Sequence, residues 1–125
     1  EAHIFFIKFK ADLFRYVSEF SDETEAVSAL KQAEDLYSEA LSIANENLPK
    51  CHPTFIGVIL NASVFQYEHR KNIELAVEMC ENTLASLNES FQELDQESQE
   101  ETNNLVKIMR RNLASWSEGG EEEED

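Results

Sequence analysis

Apolar residues recur along this chain with the period of helices, not of strands. Residues 2–20 place Phe5, Phe6, Phe9, Leu13, Tyr16, Val17 and Phe20 at helical spacing, which predicts a first helix with a broad buried face. Ser21-Asp22 breaks that pattern, and Asp22 followed by Glu25 has the form of a capping box. Residues 24–48 then carry Ala26, Leu30, Ala33, Tyr37, Ala40, Leu41, Ala44 and Leu48 inward on a second helix, which Pro49 ends. The connection to Pro53 is short, so the second and third helices should be antiparallel neighbours.

The third helix organises the rest. His52 to His69, HPTFIGVILNASVFQYEH, opens with a proline suited to the first helical turn, where its missing N–H has no partner to lose. From Phe55 to Tyr67 the run is apolar on nearly every side, as befits a buried central helix. One stripe stands out within it: Gly57, Asn61, Val64 and Glu68 fall on a single line at 3.6 residues per turn. An amide in the middle of such a helix needs a hydrogen-bonding partner. Asn61 is therefore either a core residue satisfied by a neighbouring helix or part of a groove floor that bonds a ligand's backbone.

After the central helix, His69-Arg70-Lys71 puts cations near a helix C-terminus, where they complement the dipole. Asn72 can cap a fourth helix reaching about Leu94, with Leu75, Ala76, Met79, Thr83, Leu84, Leu87, Phe91 and Leu94 inward. DQESQEE reads as a turn, with Ser98 and Glu101 as a second capping box. A fifth helix follows, carrying Leu105, Ile108, Met109, Asn112, Leu113 and Trp116 on one wide face. Trp116 alone could be a large core residue with its N–H paired near the helix end. Beyond it, SEGGEEEED has nothing to bury, so residues 1–117 should form the domain and 118–125 a disordered acidic tail.

Three glycines, two prolines and few strand-like alternations in 125 residues point to one all-α domain. The net charge is −16; six acids lie after Trp116, leaving −10 on the residues before them. Such a surface repels nucleic acid and anionic membranes and suits partners with basic segments. No run approaches the length of a membrane span, and no signal peptide is visible. The chain does not begin with Met, so a segment is expected upstream. Cys51 and Cys80 have no metal-binding spacing and read as reduced thiols, which favours a cytoplasmic setting. No Gly-rich phosphate loop, GxSxG, HExxH or Cys/His nucleophile pair is present, so neither an enzyme nor a cofactor is expected.

On the first helix Lys8 and Arg15 are seven apart with Asp12 between them, and Tyr16 follows. Such a line can be a solvated i,i+4 ladder worth a few tenths of a kcal/mol per pair. Equally, an arginine steadied by a carboxylate beside a phenol makes a good phosphate clamp.

Three segments carry a resemblance: IKFKADLFRYVSEF in the first helix, HPTFIGVILNASVFQYEH in the third and MRRNLASW in the fifth. Together they resemble the 14-3-3 family from Lys8 to Trp116, and the acidic tail is similar too. The resemblance implies an all-α array of about five antiparallel helices, in a 14-3-3-like (TPR-like) right-handed arrangement. It implies an adaptor that binds phosphoserine or phosphothreonine segments of client proteins. Arg15 and Tyr16 would hold the phosphate, Asn61 and Asn112 the ligand backbone. Lys8, Leu60, Val64, Glu68, Ile108 and Trp116 would line the groove. The chain would match the family's last five helices, with the first four, which carry dimerisation and further basic phosphate ligands, not among them. Asn104 and Ser115 stand where the family has leucines on the groove wall, and Phe55 where it has a basic residue. The rival reading is a helical-repeat scaffold that binds unphosphorylated helices through apolar surface.

Overall fold

The computed structural model describes the backbone of residues 2–87 and 91–124, with side chains described as far as Trp116. Five helices form an antiparallel all-α array: α1 (Ala2–Ser18), α2 (Glu23–Asn47), α3 (Pro53–Glu68), α4 (Ile73–Ala85) and α5 (Gln96–Glu124). A short 3-10 turn at Phe91–Glu93 precedes α5. Their starts follow local chemistry. The Asp22 carboxylate accepts from the Glu25 N–H, and the Asn72 side chain from the Leu75 N–H, as their N-cap positions require. At α3 the His52 ring nitrogen Nδ1 accepts from the Thr54 N–H, and Pro53 occupies the first turn.

Two boundaries differ from expectation. The fourth helix ends at Ala85 instead of near Leu94, with residues 88–90 outside the described ones. The fifth begins at Gln96, because Asp95 and not Ser98 caps it: Asp95 Oδ1 accepts from the Ser98 N–H at 2.7 Å. A carboxylate at the cap also meets the positive end of the helix dipole, which favours Asp over Ser here. The backbone carries α5 through the acidic run to Glu124. Side chains after Trp116, and Asp125 altogether, lie outside the described residues.

Helix α3 is the hub. It packs against α1, α2, α4 and α5, and nine of its residues are buried. Phe65, Ile56 and Val58 are fully enclosed, which explains why its sequence is apolar nearly all round. The main core joins α3 to Ile4 and Ile7 of α1, Ala40 and Ala44 of α2, Ala76 and Cys80 of α4, and Val106, Met109 and Trp116 of α5. Alanines at 29, 33, 40 and 44 let α2 approach closely. The buried Thr102 hydroxyl donates to the Cys51 carbonyl at 2.7 Å and ties α5 to the α2–α3 connection.

Helix α1 departs most from its sequence pattern. The face expected to be buried is outside: Phe5, Phe6, Phe9, Leu13, Tyr16, Val17 and Phe20 are 48–74% exposed. The inward residues are Ile4, Ile7, Ala11 and Ser18. Helix α1 is apolar on two faces, and its contact with α2 selects the one whose side chains are smaller. No described element covers the aromatic face.

Candidate functional site

Side chains from three helices converge on Asp12 of α1. The Tyr37 hydroxyl of α2 donates to its Oδ1. The Asn61 amide of α3 donates to both oxygens, at 3.2 and 3.1 Å. Lys8 Nζ donates to Oδ2 at 2.9 Å. The Lys8 and Asp12 side chains are only 19% and 23% exposed, so this pair is not the solvated ladder that the spacing allows. Asp12 does not steady Arg15 by a hydrogen bond either; its donors among the described residues are Lys8, Tyr37 and Asn61.

Tyr37 is 3% exposed, and its phenol is held well above its ordinary pKa, first by burial, then by its hydrogen bond to Asp12 and the charge there. Arg15, half-buried one turn further along α1, works weakly in the opposite direction at Tyr37. Its charge also reaches His69 at the end of α3. Tyr16 stands on the exposed side of α1, its ring tilted against Phe20 at 4.9 Å. Arg15 and Tyr16 thus border two surfaces, one facing α3 and one facing solvent.

The line Gly57, Asn61, Val64 and Glu68 reaches solvent along α3, as do Thr54, Gln66 and Tyr67, while most other residues of the helix are buried. A Cβ on Gly57 would meet nothing within 4 Å, so this end of the stripe is open. The Asn61 amide is satisfied by a neighbouring helix, as the first of its two sequence readings has it, and the residue stays partly exposed. Leu60 is buried at 7% and belongs to the core beneath the stripe. On α5, Ile108 is exposed and Asn112 half-buried, while Trp116 is buried and stacks on Tyr67 at 4.7 Å. Lys8, Arg15, Asn61, Val64, Glu68, Ile108 and Asn112 therefore lie on α1, α3 and α5 with partial or full access to solvent. Asn104 and Ser115 are exposed on α5, and Phe55 is buried in the core.

His69 closes α3 in a partly buried position. Burial pushes its imidazole below the ordinary histidine value and outweighs the pull of Glu19 and Glu68, while Arg15 and Lys71 lower it further. Its Nε2 lies 3.7 Å from a Glu19 oxygen without a hydrogen bond. Arg70 beside it donates to Glu34 of α2 at 3.3 Å.

Two residues of the cluster escaped sequence reasoning. Periodicity marks Tyr37 only as an inward apolar position, although a buried phenol has to find a partner. Spacing relates Asp12 only to Lys8 and Arg15 of its own helix, as a ladder partner or a support for the arginine. A cleft of about 770 Å³ opens elsewhere, between α2 and α4 over Phe55 and Ile59, and none of the candidate residues line it. The candidate site is thus a helical face and not an enclosed cavity. No group of three or more His, Cys, Asp or Glu suited to a metal ion, and no helix long and apolar enough to cross a membrane, occurs among the described residues.

Comparison with known proteins gives this face its context. The family model described as 14-3-3 protein matches residues 1–117. A 14-3-3 protein of Eimeria tenella is 33% identical over 117 residues, covering 94% of this chain and 42% of that protein. The 14-3-3-like protein GF14 iota of Arabidopsis thaliana is 35% identical over 130 residues, covering 98% of this chain and 47% of that protein. The 14-3-3 protein theta of Mus musculus is 31% identical over 127 residues, covering 99% and 51%. The chain spans about half the length of the curated relatives it matches. Helix order, the polar stripe on α3 and the match over nearly all of its length lead to one assignment: this chain belongs to the 14-3-3 family.

Proposed function

We propose that this chain supplies one side of a phosphopeptide groove in a non-enzymatic adaptor, and that its clients are proteins carrying phosphoserine or phosphothreonine. The carrying observation is that the polar stripe of α3 reaches solvent where Asn61 meets Asp12 and Lys8 of α1, with Arg15 one turn further along that helix, in a molecule whose net charge of −16 otherwise repels anions. Arg15, with Tyr16 beside it, would take the phosphate, because a guanidinium presents a planar fork of donors to its oxygens. Asn61 and Asn112 would bond the peptide backbone, with Val64 and Ile108 offering apolar contact and Glu68 attracting basic flanking residues. Cys51 and Cys80 are buried and not joined in a disulfide, which supports a reducing, cytoplasmic setting. The dimerisation implied by family membership would use segments other than these residues.

A second reading has its own support. The exposed aromatic face of α1 could seat an apolar helix without any phosphate. Fluorescence anisotropy with one labelled peptide, phosphorylated and unphosphorylated, separates the two. Phosphate-dependent binding is the expected result; equal affinity for both forms would favour the apolar reading and overturn the first.

A further inference from the structure

The geometry points to Asp12 as a positioning residue that fixes which way the Asn61 amide faces, so that Asn61 reads a ligand N–H through its carbonyl oxygen. The orientation follows from elementary chemistry. Both oxygens of the Asp12 carboxylate lie 3.1–3.2 Å from the Asn61 amide group, where only an NH₂ is tolerated; a carbonyl there would set acceptor against acceptor. The NH₂ end is therefore turned toward α1 and Oδ1 away from it. No described donor bonds to that Oδ1, and Asn61 is partly exposed. A carbonyl oxygen held in this way accepts an N–H.

Asp12 is itself over-determined. The Tyr37 hydroxyl and Lys8 Nζ hold it from two sides, and the Tyr37 ring packs on Phe65 of α3 at 5.5 Å. The carboxylate cannot turn without releasing both donors. Asp12 also partly neutralises Lys8, whereas among the described residues Arg15 gives Asp12 no hydrogen bond and stays available to an anion. Asp12 thus divides the labour of the site. It occupies Lys8, orients Asn61 and touches no ligand.

This inference rests on the phosphopeptide reading, and its test separates the two. A phosphoserine peptide is prepared with each backbone N–H near the phosphoserine replaced in turn by an ester oxygen. The 125-residue chain should lose about tenfold in affinity at one such position, the effect of one missing N–H···O bond. Asp12→Asn keeps the shape but allows the Asn61 amide to turn over. In that variant, and in Asn61→Ala, the ester penalty should shrink below about threefold. An ester penalty unchanged in Asp12→Asn would overturn the inference. A second readout needs no ligand: the side-chain NH₂ resonance of Asn61, identified by its absence in Asn61→Ala, should shift in Asp12→Asn while the amide resonances of Asn45 and Gln32 stay in place. If the chain shows no phosphate dependence, the proposed function fails, and the NH₂ resonance still decides the Asp12–Asn61 link. An unmoved resonance would sink it.

Discussion

Replacing Tyr37 by phenylalanine removes one hydroxyl from the centre of the α1–α2–α3 junction and leaves the ring packing intact. The lost bond is charge-assisted, and hydrogen bonds to charged groups contribute about 1.5–3 kcal/mol. Asp12 keeps Lys8 and Asn61, so no carboxylate is left without a donor. The lower end, about 1.5–2 kcal/mol at neutral pH, is therefore expected, a fall of roughly 5–10 °C in Tm for a domain of this size. The pH dependence is more diagnostic. The phenol is raised above its ordinary value in the folded chain, with burial the largest cause. Above about pH 10 the unfolded chain loses this proton and the folded chain keeps it. The stabilisation by Tyr37 is thus complete below about pH 10 and falls by about 1.4 kcal/mol per pH unit above it. Phenylalanine has no such proton. Urea denaturation of both proteins from about pH 7 to about pH 11 should show a gap that is constant at first and then closes on the alkaline side. A gap that stays constant to the alkaline limit, or no gap at neutral pH, would refute the buried Tyr37–Asp12 bond.

Three further outcomes are expected. Arg15→Glu should abolish phosphopeptide binding by calorimetry while the circular dichroism spectrum stays helical, since it exchanges a phosphate donor for a repelling charge; retained affinity would remove Arg15 from the site. Restoring leucine at Asn104 and Ser115, both exposed on α5, should tighten binding of peptides with large apolar flanking residues by about 1 kcal/mol per site. Indifference of the affinity to both changes would place these positions off the groove wall. The isolated 125-residue chain should self-associate through the α1 aromatic face, and Phe9→Ser with Phe20→Ser should return sedimentation toward the monomer.

Much of the fold is local and was therefore legible in the sequence. Period, proline and cap residues act within one or two turns, so Asp22, Pro53 and Asn72 marked helix starts correctly, and the all-round apolar run marked α3 as central. The candidate residues follow from the family resemblance, and the structure distributes them over α1, α3 and α5. Where two local signals competed, as Asp95 did with Ser98, the sequence pointed to the weaker one.

Tertiary structure decided which of two apolar faces of α1 is inside. Both have helical period, and only the fit against the alanine-rich face of α2 distinguishes Ile4, Ile7 and Ala11 from the row of phenylalanines. It also decided the polar cluster. Asp12 and Tyr37 are 25 residues apart, and Asp12 and Asn61 are 49 apart. No periodicity within a helix can express such a pairing. It exists because three helices, each specified locally, cross at one level. There a buried phenol and a half-buried amide can meet their donor requirements only at the same carboxylate.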